Sequence, residues 1–337
     1  MPADIPGGLI LRAYCDGDER AILGLFNRYF PHAPRSLEHF RWKYRQDPFG
    51  NERISLAFAG AQLVGHYAGY AVPFRLFDGD GWTRGRDLLT HQIGDTMTEQ
   101  SVRHIGRGPT SVLGRTALHF YEHFCEGRVA FNYGFNVDNI QKFSLRFLRS
   151  DRVEPVTYRS PAPLPPITRS ERWLRGYSFE LVRDTGAELD ELFKRLASTY
   201  RFCVTRNSAY LRWRYLQRPD VDYVVIAVRK WRRLVGWIAY RIRDGHFQWG
   251  DALFDPDFPE AVEVTLRHVV PAHRVSLIEG WFPQRPQWFD AALTSLGFAA
   301  QPEPQNLSLM CVPFLWTGAT PRMREDLYYT WGDSDLF

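Results

Sequence analysis

The residues with the most explicit chemistry in this chain stand close together at Arg103, Gly106, Arg107, Gly108 and Pro109, within the run "VRHIGRGPTSVLGR". Two arginines carry fixed positive charge. Two glycines permit backbone conformations that turn successive N–H groups into one concavity. A proline suits the first turn of a following helix, where its missing donor costs nothing. Unpaired amides, the positive end of a helix dipole and two guanidinium groups all act on the same kind of ligand, a phosphate. Such a loop must be held between a strand ending near Thr98 and an apolar-periodic helix running from Pro109 to about Glu126. On that helix His119 and His123 lie one turn apart beside Glu122, a spacing that can hold zinc. No third ligand is near, so no metal is expected.

The elements that position this loop are read from a repeat. "SLEHFRWKYRQDP" (36–48) returns as "SAYLRWRYLQRP" (208–219): Arg35 falls on Arg206, Trp42 on Trp213, Tyr44 on Tyr215 and Pro48 on Pro219, an offset of 171 residues. Without a gap the same offset lays "QLVGHYAGY" (62–70) on "RLVGWIAYR" (233–241). The repeat unit is about half the chain. Each half reads strand, helix opened by Asp or Thr, aromatic-basic helix, then the strands "RISLAFAG" (53–60) or "DYVVIAVR" (222–229) paired through a tight turn with the "LVG" strand. The aromatic-basic phrase occurs in both halves and reads as architecture. The Pro-rich "SPAPLPPITRS" (160–170) cannot belong to a helix or sheet interior and marks a linker.

Length and composition fit two buried cores: 337 residues, 45% hydrophobic and 15% aromatic. The net charge of +4 is spread along the chain, which argues against nucleic acid as a partner. No apolar run is long enough to span a membrane, and the N-terminus lacks a signal-peptide pattern, so a soluble cytoplasmic protein is expected. Cys15, Cys125, Cys203 and Cys311 form no CxxC pair and read as reduced thiols.

The R-x-x-G-x-G loop, placed between a fourth strand and a helix, resembles the acyl-CoA pyrophosphate loop of the GNAT superfamily of N-acetyltransferases. The order of elements in the first half is similar too, and "VAFNYGFNVDNIQKFSLRFLRSD" (129–151) resembles the family's fifth strand and following helix. The resemblance implies an α/β (α+β) chain of two tandem GNAT-like domains, each a mixed, mostly antiparallel sheet with flanking helices. We expect residues 1–159 to form an N-terminal domain with the acyl-CoA loop, 160–172 a linker, and 173–337 a degenerate C-terminal domain. In the second half "DPDFPEAVEVTLRHVV" (255–270) brings acidic residues to the loop position, and no R-x-x-G-x-G occurs there.

The resemblance also implies a site. Backbone groups of Met97 and Thr98 would meet the pantetheine arm. Arg103, His104, Ile105, Gly106, Arg107, Gly108, Pro109 and Thr110 would hold the pyrophosphate, with Asn136 and Phe143 beside the cofactor. A carboxylate on or near the fourth strand would serve as general base, Asp95 first, with the His91 imidazole and Glu99 as the further candidates for that role. The family's acid is a Tyr seven residues past an Asn. Counted from Asn136 that position is Phe143, so Tyr133 or Tyr121 would have to substitute, or water would. Asp333, Ser334 and Asp335 are expected in an exposed tail or capping a pocket for a cationic amine. The implied activity is transfer of an acyl group, acetyl first, from acyl-CoA to an amine of a small molecule, with a homodimer among the possible states. Aminoacyl or acyl-carrier-protein-dependent transfer, and a non-catalytic binding or scaffolding role, are the alternatives.

Overall fold

A computed structural model describes residues 8–77, 85–161, 164, 166, 168, 170, 171 and 175–337. The chain divides into two compact units, Met1–Pro73 with Leu88–Glu154 and Leu307–Arg322, and Phe74–Asp87 with Pro155–Asn306 and Met323–Phe337. These are not two uninterrupted halves, as the proline-rich stretch suggests. The expected linker at 160–172 lies partly outside the described residues.

The first unit is built on the strands β1 (Leu9–Ala13), β2 (Ile54–Ala59), β3 (Gln62–Leu76), β4 (Arg86–Thr98), β5 (Phe131–Asn136) and β6 (Asp151–Pro155). Its sheet runs β1-β2-β3-β4-β5, then the late strand Ser308–Pro313, then β6. Ser308–Pro313 pairs antiparallel with β5 from Ser308↔Asn136 to Pro313↔Phe131. A segment from the end of the chain thus completes the N-terminal sheet, which the linear repeat cannot reveal.

Helices cover both faces of this sheet. On one face α1 (Glu19–Tyr29) and α2 (Leu37–Arg45) bring Ile22, Leu25, Phe26, Phe40 and Tyr44 against Ile54, Leu56, Leu63, Ala68 and Met97. On the other, α3 (Val112–Phe120) packs Ala117 and Phe120 with Tyr67 and Val129. The fourth helix, α4 (Asp138–Phe147), follows β5. Coverage on both sides is why β2 and β3 read as nearly unbroken apolar runs.

The expected N-caps are realised unevenly. Asp18 precedes α1 but makes no side-chain cap; its carboxylate takes the Arg12 fork at 2.6 and 2.7 Å instead. In the second unit Gly186, not Thr185, precedes the helix Ala187–Leu196. The repeated phrase caps as the register requires: Ser36 accepts from the His39 amide and Asn207 from the Tyr210 amide.

β4 and β5 are parallel, and their pairing runs only from Thr90↔Phe131 to Gln92↔Tyr133. Both strands continue beyond it, β4 to Thr98 and β5 to Asn136. The second unit repeats the plan. Its sheet runs Ala300–Pro302, Thr157–Arg159, Leu277–Trp281, His246–Phe254, Arg233–Arg243, Val224–Lys230 and Tyr177–Leu181, with a parallel pair at His246–Trp249 and Leu277–Gly280.

Candidate active site

The loop after β4 is shaped by its glycines. Gly106 and Gly108 have φ of 69° and 54°, and a Cβ at Gly108 would strike the Phe147 ring at 2.7 Å. Gly108–Thr110 is a single 3-10 turn, closed by Thr110 N–H donating to the Arg107 carbonyl and Arg107 N–H donating to Thr110 Oγ1. Pro109 therefore sits in this turn. The helix proper begins only at Val112, capped by Ser111 Oγ accepting from Gly114 N–H at 3.1 Å. Among the described residues none accepts a hydrogen bond from the amides of Gly106 or Gly108, and no carboxylate pairs with Arg107. Arg103 is held, its Nε donating to the Thr98 carbonyl at 3.0 Å and its guanidinium lying over the Tyr29 ring.

This loop forms one wall of a cavity of about 620 Å³ in the first unit. Thr96 to Thr98 of β4 and Ile140, Phe143 and Phe147 of α4 line it as well. Of the residues expected at a cofactor, Met97, Thr98, Arg103, Gly106, Arg107, Gly108 and Phe143 line it. His104, Ile105, Pro109, Thr110 and Asn136 are not on its walls. Ile105 packs against the cluster of Ala57, Val64, Val102 and Val112, while Asn136 Nδ2 donates to Ser144 Oγ at 3.4 Å. Tyr29, which sequence reasoning missed, lines the cavity. Its hydroxyl donates to Glu99 Oε1 at 2.5 Å and accepts from the Gln100 amide at 2.6 Å.

The acid-base candidates are placed elsewhere. Asp95 has φ of 53° and its Oδ2 accepts from Arg35, Lys43 and Tyr44, each at 2.8 Å. Burial alone would raise its pKa, but Arg35 and Lys43 outweigh burial and hold it far below the carboxylate range. A carboxylate so paired is a poor proton acceptor, which corrects the expectation for Asp95. His91 is fully buried, with Nε2 2.5 Å from Arg53 Nη1, and burial followed by the Arg53 charge pushes it down to about 3. Glu99 pairs with Arg28, and the Tyr29 hydrogen bond lowers its pKa. Tyr133 is buried in β5. Tyr121 is buried with its hydroxyl 3.2 Å from that of Tyr67, and burial raises its pKa. Neither tyrosine reaches the cavity, so neither replaces the hydroxyl missing at Phe143. His119 stacks on His123, and among the described residues no group of ligands could hold a metal.

The second unit has the Asp95 arrangement without the loop. Asp251 accepts from Arg206 Nε at 2.8 Å and Tyr215 at 2.7 Å, the counterparts of Arg35 and Tyr44. Arg206 also pairs with Asp333 at 2.6 Å. The segment after Thr330 fills the space beside this aspartate: the Phe337 ring lies against Gly250, and Arg214 donates to the carbonyls of Gly332, Ser334 and Phe337. Asp333 and Ser334 are buried and committed, neither an exposed tail nor a cation pocket.

With this geometry in hand, the fold is that of the GCN5-related N-acyltransferases, present in two tandem copies. No protein-family model and no curated protein sequence matches the chain. Among solved structures it is similar to a probable N-acyltransferase of Enterococcus faecalis, with a TM-score of 0.65 and 12% identity over 92% of this chain and 74% of that one. A GCN5-related N-acetyltransferase of Anabaena variabilis gives 0.61 and 13% over 90% and 72%. The Saccharomyces cerevisiae N-myristoyltransferase with bound myristoyl-CoA gives 0.56 and 10% over 93% and 84%. Identities this low speak for the fold. Among the described residues no helix is long and apolar enough to cross a membrane.

Proposed function

We propose that the first unit binds acyl-CoA in the cavity between β4 and α4 and transfers the acyl group, acetyl first, to an amine of a small molecule. The observation that carries this reading is the conjunction of the 620 Å³ cavity with two unpartnered glycine amides and the unpaired Arg107 at its rim. Amides and guanidinium suit the diphosphate, and the apolar wall of Ile140, Phe143 and Phe147 suits the pantetheine arm. The known solved structures of this fold that transfer acyl groups support the same reading. Acyl transfer then needs the amine in its neutral form, and an ordinary alkylamine is neutral only about once in a thousand at pH 7.

Calorimetry with acetyl-CoA and longer acyl-CoAs tests the binding step, and thiol release across an amine panel tests the transfer. Binding lost in Arg107→Glu with thiol release in the wild type supports the proposal. Absence of any acyl-CoA binding overturns it. Phe143, which puts a hydrocarbon where the family acid would stand, favours the non-catalytic reading, and tight binding without thiol release would establish that alternative.

A further inference from the structure

A second, much smaller cavity of about 10 Å³ lies in the first unit, close to the space of one water molecule. Met97 lines both this cavity and the large one, so a single unbranched side chain is common to the two. Its apolar walls come from Ile22 and Phe26 of α1 and Phe40 of α2, and its polar wall includes His66 of β3 and Asp95. His66 is 1% exposed. Its Nδ1 lies 2.7 Å from the Asp95 carbonyl, which can only accept, so the ring proton is on Nδ1. Nε2 is then a bare lone pair, buried and without any partner.

Architecture alone does not call for that lone pair. In the second unit the carbonyl of Asp251 is satisfied by Trp249 Nε1 at 3.0 Å, a ring that only donates. At the position matching His66 in the repeat stands Trp237. The indole there leaves its own Nε1 donor buried and unpaired, so what sets the first unit apart is that its unpaired atom is an acceptor, able to take a proton. The aspartates differ in the same sense. Both oxygens of Asp251 are filled, Oδ1 by Arg206, Thr330 and the Ala252 amide and Oδ2 by Tyr215. At Asp95 all three donors converge on Oδ2, and among the described residues none donates to Oδ1. The unit that carries the phosphate loop is therefore the one that keeps two acceptors open beside a water-sized hole.

We propose that His66 is the proton acceptor for the attacking nitrogen, working through one water held in this small cavity, an inference that rests on the acyltransferase reading above. As the nitrogen lone pair bonds to the thioester carbon, a proton leaves nitrogen for the water, and the water passes one of its own to Nε2. The C–S bond breaks, and the imidazolium returns the proton through the same water to the departing thiolate. The products are amide and free CoA thiol, with no other reactant. The groups facing His66 are Arg35, His39, Lys43 and Tyr44 from the α2 side and Asp95 from β4; the α1 side is apolar. Burial first, then Lys43 and Arg35, push its pKa down to about 4, against the Asp95 carbonyl and charge. A base that weak suffices here, because a cationic nitrogen on a tetrahedral carbon is far more acidic than a free ammonium.

The experiment compares wild type with His66→Gln, which keeps a donor for the Asp95 carbonyl but cannot take a proton. Acetyl-CoA affinity is expected within about twofold of wild type, while thiol release falls on the order of 100-fold. In kcat/KM against pH, the inflection near pH 4 that His66 adds to the limb set by the amine itself is expected to vanish in the variant. Nitrogen-15 NMR of the histidines is expected to show the proton of His66 on Nδ1. A variant that releases thiol within about threefold of wild type, or a proton found on Nε2, overturns the inference while leaving the acyltransferase reading intact. A wild type that binds acetyl-CoA and releases thiol to no amine overturns both.

Discussion

The hydroxyl of Tyr44 donates to Asp95 over 2.8 Å, and in the second unit the hydroxyl of Tyr215 donates to Asp251 over 2.7 Å. The repeated aromatic-basic phrase thus serves one purpose twice. It delivers a phenol and a guanidinium to a strand aspartate, Asp95 on β4 and Asp251 on His246–Phe254. The Asp95 side chain is only 7% exposed and Asp251 is wholly buried, and each carboxylate accepts from several donors before any ligand arrives.

Removing Asp95 is therefore expected to act on the fold. Asp95→Ala leaves Arg35 and Lys43 facing each other without their anion, and loss of one partner of a buried pair costs about 3–5 kcal/mol. Asp251→Ala should cost as much, because Arg206 is wholly buried. Tyr44→Phe loses one hydrogen bond, about 1 kcal/mol and up to 3 where the acceptor is charged. Urea unfolding measures all three, and an Asp95→Ala protein within about 1 kcal/mol of wild type would contradict the assignment.

The loop glycines make a sharper separation between binding and stability. Gly108→Ala places a methyl against Phe147 at a φ of 54°, and the ring must move into the cavity. Acyl-CoA affinity is expected to drop at least tenfold, about 1.4 kcal/mol. Arg107→Glu should lose as much with unchanged stability, because the arginine pairs with no carboxylate. Arg103→Glu should lose both, since Arg103 also braces Thr98 and Tyr29. Calorimetry and thermal melts on the three variants decide this.

Stability should vary with pH through buried histidines and aspartates that pull in opposite directions. His66 and His91 are buried and pushed down to about 4 and about 3, so below pH 6.5 each binds a proton in the unfolded chain that it lacks when folded. Their contribution is present above pH 6.5 and lost as pH falls through the folded values. Asp47 works in the opposite sense: burial raises it to about 7, so its contribution is present below pH 3.8 and lost as pH rises through 7. Asp333, which burial raises to about 6, acts in the same sense as Asp47, while His119 and His273, lowered by burial, act in the sense of His66 and His91. Removing His66 alone takes away one proton of uptake on unfolding between pH 6.5 and 4, a slope difference of about 1.4 kcal/mol per pH unit between variant and wild type. Denaturant titrations of wild type and His66→Gln across this window should show that difference; equal slopes in the two proteins would refute the assignment.

Phe143→Tyr puts a hydroxyl on the cavity wall where the family's acid stands. Thiol release is expected to rise at least tenfold with acyl-CoA affinity little changed, since acid catalysis commonly contributes 10²–10⁴. No rise would mean that proton delivery to the thiolate does not limit the rate.

Much of this was legible in the chain itself. The 171-residue offset, the loop at Arg103 to Pro109 and the apolar runs of β2 and β3 are local patterns, and hydrogen bonding and periodicity act locally. They sufficed for two GNAT-like copies, of which one carries the glycine-arginine loop. The same register contained a further clue, the pairing of His66 with Trp237, which marks a difference between the copies. What no local pattern holds is which donors meet which acceptors across elements far apart in sequence. Only the folded chain shows Arg35, Lys43 and Tyr44 converging on Asp95, so that the residue best spaced to be a base is held as an anion by its neighbours. The same is true of Ser308–Pro313, whose place beside β5 is set by an open edge needing hydrogen bonds, and of Phe337 against Gly250. Spacing along the chain decided which chemistry was at hand; burial and long-range pairing decided which groups remain free to perform it.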